Sequence, residues 1–204
     1  MKNKPAPPSL ERREFTIEGM KIERRADAPM KMVGHASVFN RDADIGGWFI
    51  ESVSPGAFRR AIAEDDVRAL FNHDPNFVLG RNRAGTLKLS EDDIGLAIEI
   101  APPDTQFARD LAVSIERGDI NQMSIGFRAL KEEWDESGDL LKRKLLEVEL
   151  FDVSPVTFPA FTQTDIGMRA LEDYRKTHPR GLTTQSAVPL IPRSRIQRAR
   201  EHGY

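Results

Sequence analysis

The 204-residue sequence predicts a mainly β protein with peripheral helices (an α+β chain), its strands curled into a small, largely antiparallel β-barrel. Apolar residues recur mostly with a period of two, as they do on half-buried strands. Turn-forming clusters separate these runs, and only two short stretches carry helical spacing. At roughly 100–200 residues per domain, the length suits one domain with tails.

Taken in order, Phe15, Ile17 and Gly19, then Met32, Gly34, Ala36 and Val38, alternate as strands do. Asn40–Asp44 and Gly46-Gly47 form a turn-rich loop before a third strand at Trp48-Phe49-Ile50. Ser54-Pro55 reads as a helix start, with Ser as N-cap and Pro at the first helical position; Phe58, Ala61 and Ile62 then share a face. Arg68–His73 is a strand ending at a loop. Gly85–Leu89 and Gly95–Ile100 make a hairpin turned at Ser90–Asp93. Asp104 is expected to cap a second helix, which buries Phe107, Leu111 and Ile115 and ends at Gly118. Two further strands, Asn121–Leu130 and Leu141–Val153, are joined through Asp135–Gly138. Residues 1–11 are Pro- and Lys-rich and 173–204 are rich in Arg, Thr and Pro. Both read as disordered tails around a domain at 12–172, since neither can bury enough apolar area to offset its ordering entropy.

Composition excludes several chemistries. With no cysteine, there is no disulfide framework, thiolate metal site or cysteine nucleophile. The 30 basic and 32 acidic residues nearly cancel, so no global field recruits nucleic acid or an anionic membrane. No apolar run approaches the roughly 18 residues of a membrane span. The N-terminus lacks the apolar segment of a secretory signal, and the expectation is a soluble intracellular domain. No metal-ligand cluster appears, and no cofactor is expected.

The remaining reactive groups are His, Ser, Thr, Lys and carboxylates. His178 and His202 lie in the tail, and His35 is out of phase with the apolar residues of its strand, as a surface histidine would be. His73 differs, because it sits where an apolar strand meets the Pro-stiffened loop Asn72-His73-Asp74-Pro75, and loops on rigid scaffolds carry function disproportionately. Ser124 alternates with Met123 and Ile125, so it faces away from them together with Gly126. A nucleophilic serine needs a base, and the base a third group that orients it. The strand Leu146–Val153 offers Glu147 and Glu149 on one face and Asp152 on the other. A turn through Asp135–Gly138 puts Ser124 directly opposite Glu149, at a Cβ separation of about 4.5–5.5 Å. A register slip of two brings in Glu147, and a one-residue slip or bulge brings in Asp152.

The ordered series of motifs resembles the caudovirus prohead protease family. It runs through Gly34–Asn40, Pro55–Phe58, Phe71–Pro75, Leu79–Arg81, Gly85–Leu87, Asp92–Leu96, Gly118–Phe127 and Leu150–Ala160, covering roughly residues 13–170. The resemblance implies a serine endopeptidase that processes capsid and scaffold proteins inside a phage procapsid in the bacterial host cytoplasm. It also implies the fold of the related herpesvirus assembly proteases, a small β-barrel ringed by helices. Matched residue by residue, the family histidine falls on His73 and its serine on Ser124. The acidic member falls in the Glu147–Asp152 strand, with Glu149 taken from the cross-strand argument and Asp152 its rival. The implied partners are the major capsid protein and scaffold segments as substrates, self-cleavage at the tail, and a homo-oligomer by analogy with the herpesvirus enzymes. Two other readings compete: a non-catalytic capsid-assembly protein on the same fold, which needs no meeting of Ser124 and His73, and a nucleic-acid module using the Arg-rich tail, against which the balanced charge argues.

Overall fold

Strands with one apolar face must bury it, and here two sheets bury theirs in a common core. The computed structural model describes residues 10–16, 20–25, 28–138, 140–158 and 170–176. The chain divides into two units, Met1–Leu171 and Glu172–Tyr204. Of the second, residues 172–176 are described and are helical. The two expected tails fall largely outside the described residues, as do residues 17–19 of the first expected strand.

The first sheet has seven strands. Glu11–Thr16 (β1), Gln122–Asp135 (β10), Leu141–Val156 (β11), Phe49–Val53 (β5) and Ala43–Ile45 (β4) lie side by side in that order. The hairpin of Arg68–Phe71 (β6) and Asp74–Arg81 (β7) joins it, because β6 also pairs with β11. The second sheet runs Lys21–Arg25 (β2), Ala28–Val38 (β3), Gly95–Ile100 (β9) and Leu87–Glu91 (β8), antiparallel throughout. Met32, Leu96, Ile98 and Ile100 from this sheet meet Met123, Ile125, Phe127, Leu150 and Val153 from the first. Two helices complete the core, Arg59–Glu64 (α1) through Ala61 and Gln106–Glu116 (α2) through Leu111, Ala112 and Ile115.

The mainly β class with few helices is what the structure shows, but the sheets do not close into a barrel. The reason lies in β11, whose free edge is divided between two partners. Its first half pairs in parallel with β5 through Leu141–Leu145, and its second half in parallel with β6 through Asp152 and Val153. That edge therefore splits into two short branches ending at β4 and β7, and among the described residues neither meets β1. Period-two patterning specifies strands but not which edges meet.

Both helix starts differ from expectation. Gly56 adopts φ +92°, a left-handed backbone that interrupts a helix, so α1 begins at Arg59 rather than at Pro55. In α2 the cap is Thr105, not Asp104; its side chain accepts from the Ala108 N–H at 3.2 Å. The helix ends as expected, with Gly118 at φ +80° just past the Arg117 cap.

β1 is fastened to the sheet by charge as well as by its ladder with β10. Arg13 donates to Glu51 at 2.5 Å and to Glu11 at 2.6 Å, while Arg143 donates to Glu11 at 2.6 Å and to Glu51 at 2.8 Å. All four side chains are only 3% exposed. Burial alone would push the Glu11 carboxyl up, but hydrogen bonds and charge from Arg143 and Arg13 outweigh it, so it stays below its ordinary value.

Candidate active site

The histidine is aimed by a tight turn. Phe71 pairs with Asp74, leaving Asn72 and His73 as a two-residue connection between β6 and β7. Both adopt positive φ, +53° and +57°, as a turn of the I′ kind demands. Asn and His tolerate this left-handed backbone better than most side chains do. The turn sends the His73 ring towards β10 and β11, where it is 5% exposed. Its Nε2 lies 2.6 Å from Ser124 Oγ, and its Nδ1 lies 2.5 Å from Asp152 Oδ1.

A bulge brings Asp152 to that face. Down the β10–β11 ladder, Phe127 pairs with Leu150, but Gly126 pairs with Asp152, so Phe151 is the extra residue. One inserted residue reverses the phase of the strand beyond it, which carries Asp152 and Ser154 onto the face of Ser124 and Gly126. Ser154 sits directly opposite Ser124, is fully buried, and donates its hydroxyl to Asp152 Oδ1 at 2.6 Å. Gly126 makes the space for the carboxylate: a Cβ there would stand 2.2 Å from Asp152 Oδ2. Arg68, paired with Asp152 across β6, turns its guanidinium to Asp66 instead.

The hydrogen-bond roles follow from donor chemistry. A carboxylate only accepts, so Nδ1 of His73 carries the proton, and Nε2 is left with a lone pair towards the Ser124 hydroxyl. Ser124 is fully buried and Asp152 only 12% exposed at its side chain, so the relay lies in a desolvated setting where each hydrogen bond is strong.

The other expected carboxylates are placed elsewhere. Glu149 pairs with Arg128, not Ser124, across the ladder and accepts from its Nη1 at 2.6 Å; it is 34% exposed. Glu147 accepts from Lys131 and lies 3.6 Å from Arg60 Nε. The structure thus brings His73 to Ser124 and to Asp152, whereas Glu149 meets Arg128 instead. The expected register came from a tight turn pairing Trp134 with Asp139, whereas Trp134 pairs with Arg143, four residues on, and the bulge at Phe151 adds one more, so Ser124 meets Ser154. Ser154 and Asn72 were not singled out in the sequence. Ser154 was detectable as the residue two beyond Asp152, and Asn72 as the first residue of a turn that needs positive φ. His35 is held by Asp92 at 2.8 Å and is only 20% exposed, less a free surface group than its phase implied. No group of three or more His, Asp or Glu suited to a metal ion occurs among the described residues.

The family model for caudovirus prohead serine proteases matches residues 16–177. The prohead protease of Enterobacteria phage HK97 is 30% identical over 176 residues, covering 78% of this chain and 73% of its own length. That of Escherichia phage T5 is 33% identical over 90 residues, covering 44% and 40%. The solved structure of the bacteriophage T4 capsid assembly protease overlays 74% of this chain and 99% of its own, at 12% identity and a TM-score of 0.48. With its family model spanning most of the length, the chain belongs to the caudovirus prohead serine protease family.

Proposed function

We propose that this phage maturation protease cleaves capsid and scaffold protein segments inside the assembling procapsid, with Ser124 as nucleophile, His73 as general base and Asp152 as the orienting carboxylate. The observation that carries the reading is the continuous relay Ser124 Oγ–His73 Nε2, His73 Nδ1–Asp152 Oδ1, at 2.6 and 2.5 Å. These distances are within the reach a base needs, about 2.6–3.2 Å. A purely assembly-related role would not require Ser124 and His73 to meet.

As Ser124 Oγ attacks the scissile carbonyl, its proton passes to His73 Nε2. The imidazolium that forms is stabilised by Asp152, which keeps the Nδ1 proton pointed at itself. When the tetrahedral species collapses, the C–N bond breaks and Nε2 returns the proton to the departing amine. Water then attacks the acyl ester through the same base, restoring Ser124. Ser154 donates to the same Asp152 Oδ1 that meets His73, limiting the carboxylate's rotation. The substrate is an extended protein segment, read mainly through its backbone, as strand-like peptides commonly are.

Co-expression with the cognate major capsid protein tests the reading. Wild type should trim it at defined positions, and Ser124→Ala and His73→Ala should leave it intact. Trimming that survives Ser124→Ala would refute the nucleophile, and intact capsid protein with every version in assembled procapsids would refute the proteolytic role towards capsid.

A further inference from the structure

The relay needs His73 held closely against β11, yet the hairpin that carries it is tied to that strand by a short ladder. β6 meets β11 only through Arg68–Asp152 and Ala69–Val153, so the ladder stops four residues short of His73. Within the hairpin, the register shifts between Ala69 and Leu70 and again between Leu70 and Phe71. The Phe71–Asp74 pair closes the turn, but neither ladder ties the turn itself to the segment carrying Asp152.

Asn72 supplies what the ladders lack. Its N–H donates to the Pro155 carbonyl at 3.0 Å. Its Oδ1 accepts from the Thr157 N–H at 2.9 Å, and its Nδ2 donates to Thr157 Oγ1 at 3.2 Å. The Thr157 N–H can only donate, which sets the amide orientation. Pro155 and Thr157 follow Asp152 on the same run of chain by three and five residues.

We infer that Asn72 is a positioning residue for proteolysis, clamping the histidine turn to the segment that carries Asp152. The His73–Asp152 separation is then set by one stretch of backbone and does not depend on the irregular hairpin. Asparagine suits both requirements: it tolerates the left-handed φ of +53°, and its amide offers one acceptor and one donor for Thr157. The inference rests on the proposed relay.

The test uses the full chain and a fluorophosphonate, which reacts by forming an Oγ–P bond at Ser124 as the P–F bond breaks, fluoride leaving and the hydroxyl proton passing to His73. Asn72→Gly keeps the left-handed backbone and the bond to Pro155 and removes the two side-chain bonds to Thr157. It should lower the second-order labelling rate about 10–100-fold, the scale of a misplacement near 1 Å. In ¹⁵N-histidine-labelled protein, the His73 Nδ1–H resonance should shift or broaden, which loss of stability alone would not produce in the folded state. Thr157→Val should lower the rate several-fold, and Thr157→Ser, which keeps the hydroxyl, should retain it. Asn72→Gly labelling within about threefold of wild type, with the resonance unmoved, would overturn the inference. Should Asn72→Gly fail to fold, equal rates for Thr157→Val and Thr157→Ser would overturn it. Failure of the relay itself reads differently, as an Asp152→Asn protein that labels like wild type.

Discussion

Replacing Gly126 with alanine tests whether the carboxylate's position, and not merely its presence, sets the rate. The new Cβ would stand 2.2 Å from Asp152 Oδ2, whereas ordinary contact begins near 3.4 Å. Gly126 and Asp152 face each other across the ladder, so the backbone has little freedom and the carboxylate must retreat by about 1 Å. That motion stretches the 2.5 Å bond to His73 and the 2.6 Å bond from Ser154. A displacement of this size costs about 100-fold in rate, rising towards the ~10⁴-fold of a lost orienting carboxylate if the histidine tautomer is no longer fixed. Overpacking costs about 1–3 kcal/mol of stability, which a domain of ordinary stability survives. The assay is the fluorophosphonate labelling rate, with denaturant unfolding run alongside. Alanine at position 126 with a rate within about threefold of wild type would refute the reasoning, since the carboxylate would then have moved without consequence.

Other outcomes follow from the same contacts. Ser154→Ala should slow labelling about 3–10-fold while costing roughly 1 kcal/mol, because one hydrogen bond to Asp152 is lost and a small void is left; steady labelling rates across pH check it. Glu51→Ala should destabilise the fold by about 3–5 kcal/mol in urea unfolding, because it leaves buried Arg13 with Glu11 alone and buried Arg143 with Glu11 and Glu132. Acid stability has a defined direction. Hydrogen bonds from Arg81 hold the Asp66 carboxyl down to about 2 from 3.8, so its stabilisation is complete above the unfolded value and is lost as pH falls through that window. The Glu11 carboxyl, held below 4.5 by Arg143 and Arg13, adds to the same trend. The urea midpoint should therefore drop between about pH 5 and pH 2, and Asp66→Asn should flatten part of that fall.

Much of the site was legible because two of its members obey local rules. Phe71–Pro75 marks a strand reaching a stiffened loop, which made His73 a candidate, simple alternation turned Ser124 away from Met123 and Ile125, and the family resemblance assigned both. The third member follows a non-local rule. Glu149 was favoured because a tight turn was assumed, whereas the loop between Asp135 and Lys142 is wider, and the extra residue at Phe151 leaves no mark in the apolar pattern, since Leu150, Phe151 and Val153 are all apolar. Sheet closure was illegible for a related reason: the split of β11 between β5 and β6 depends on pairings between distant segments. The two helix starts were misread more simply. Ser54 and Asp104 are both good caps in isolation, but the positive φ of Gly56 and the better-placed hydroxyl of Thr105 decided otherwise.

The most direct test of the account sets Asp152→Asn beside Glu149→Gln in co-expression with the major capsid protein. Asp152→Asn should abolish trimming, a loss on the order of 10⁴-fold, because the amide cannot hold the required histidine tautomer. Glu149→Gln should trim like wild type, since it weakens only a part-exposed pair with Arg128, worth about 1 kcal/mol or less. The reverse pattern, with Glu149→Gln inactive and Asp152→Asn trimming normally, would contradict the assignment of the relay.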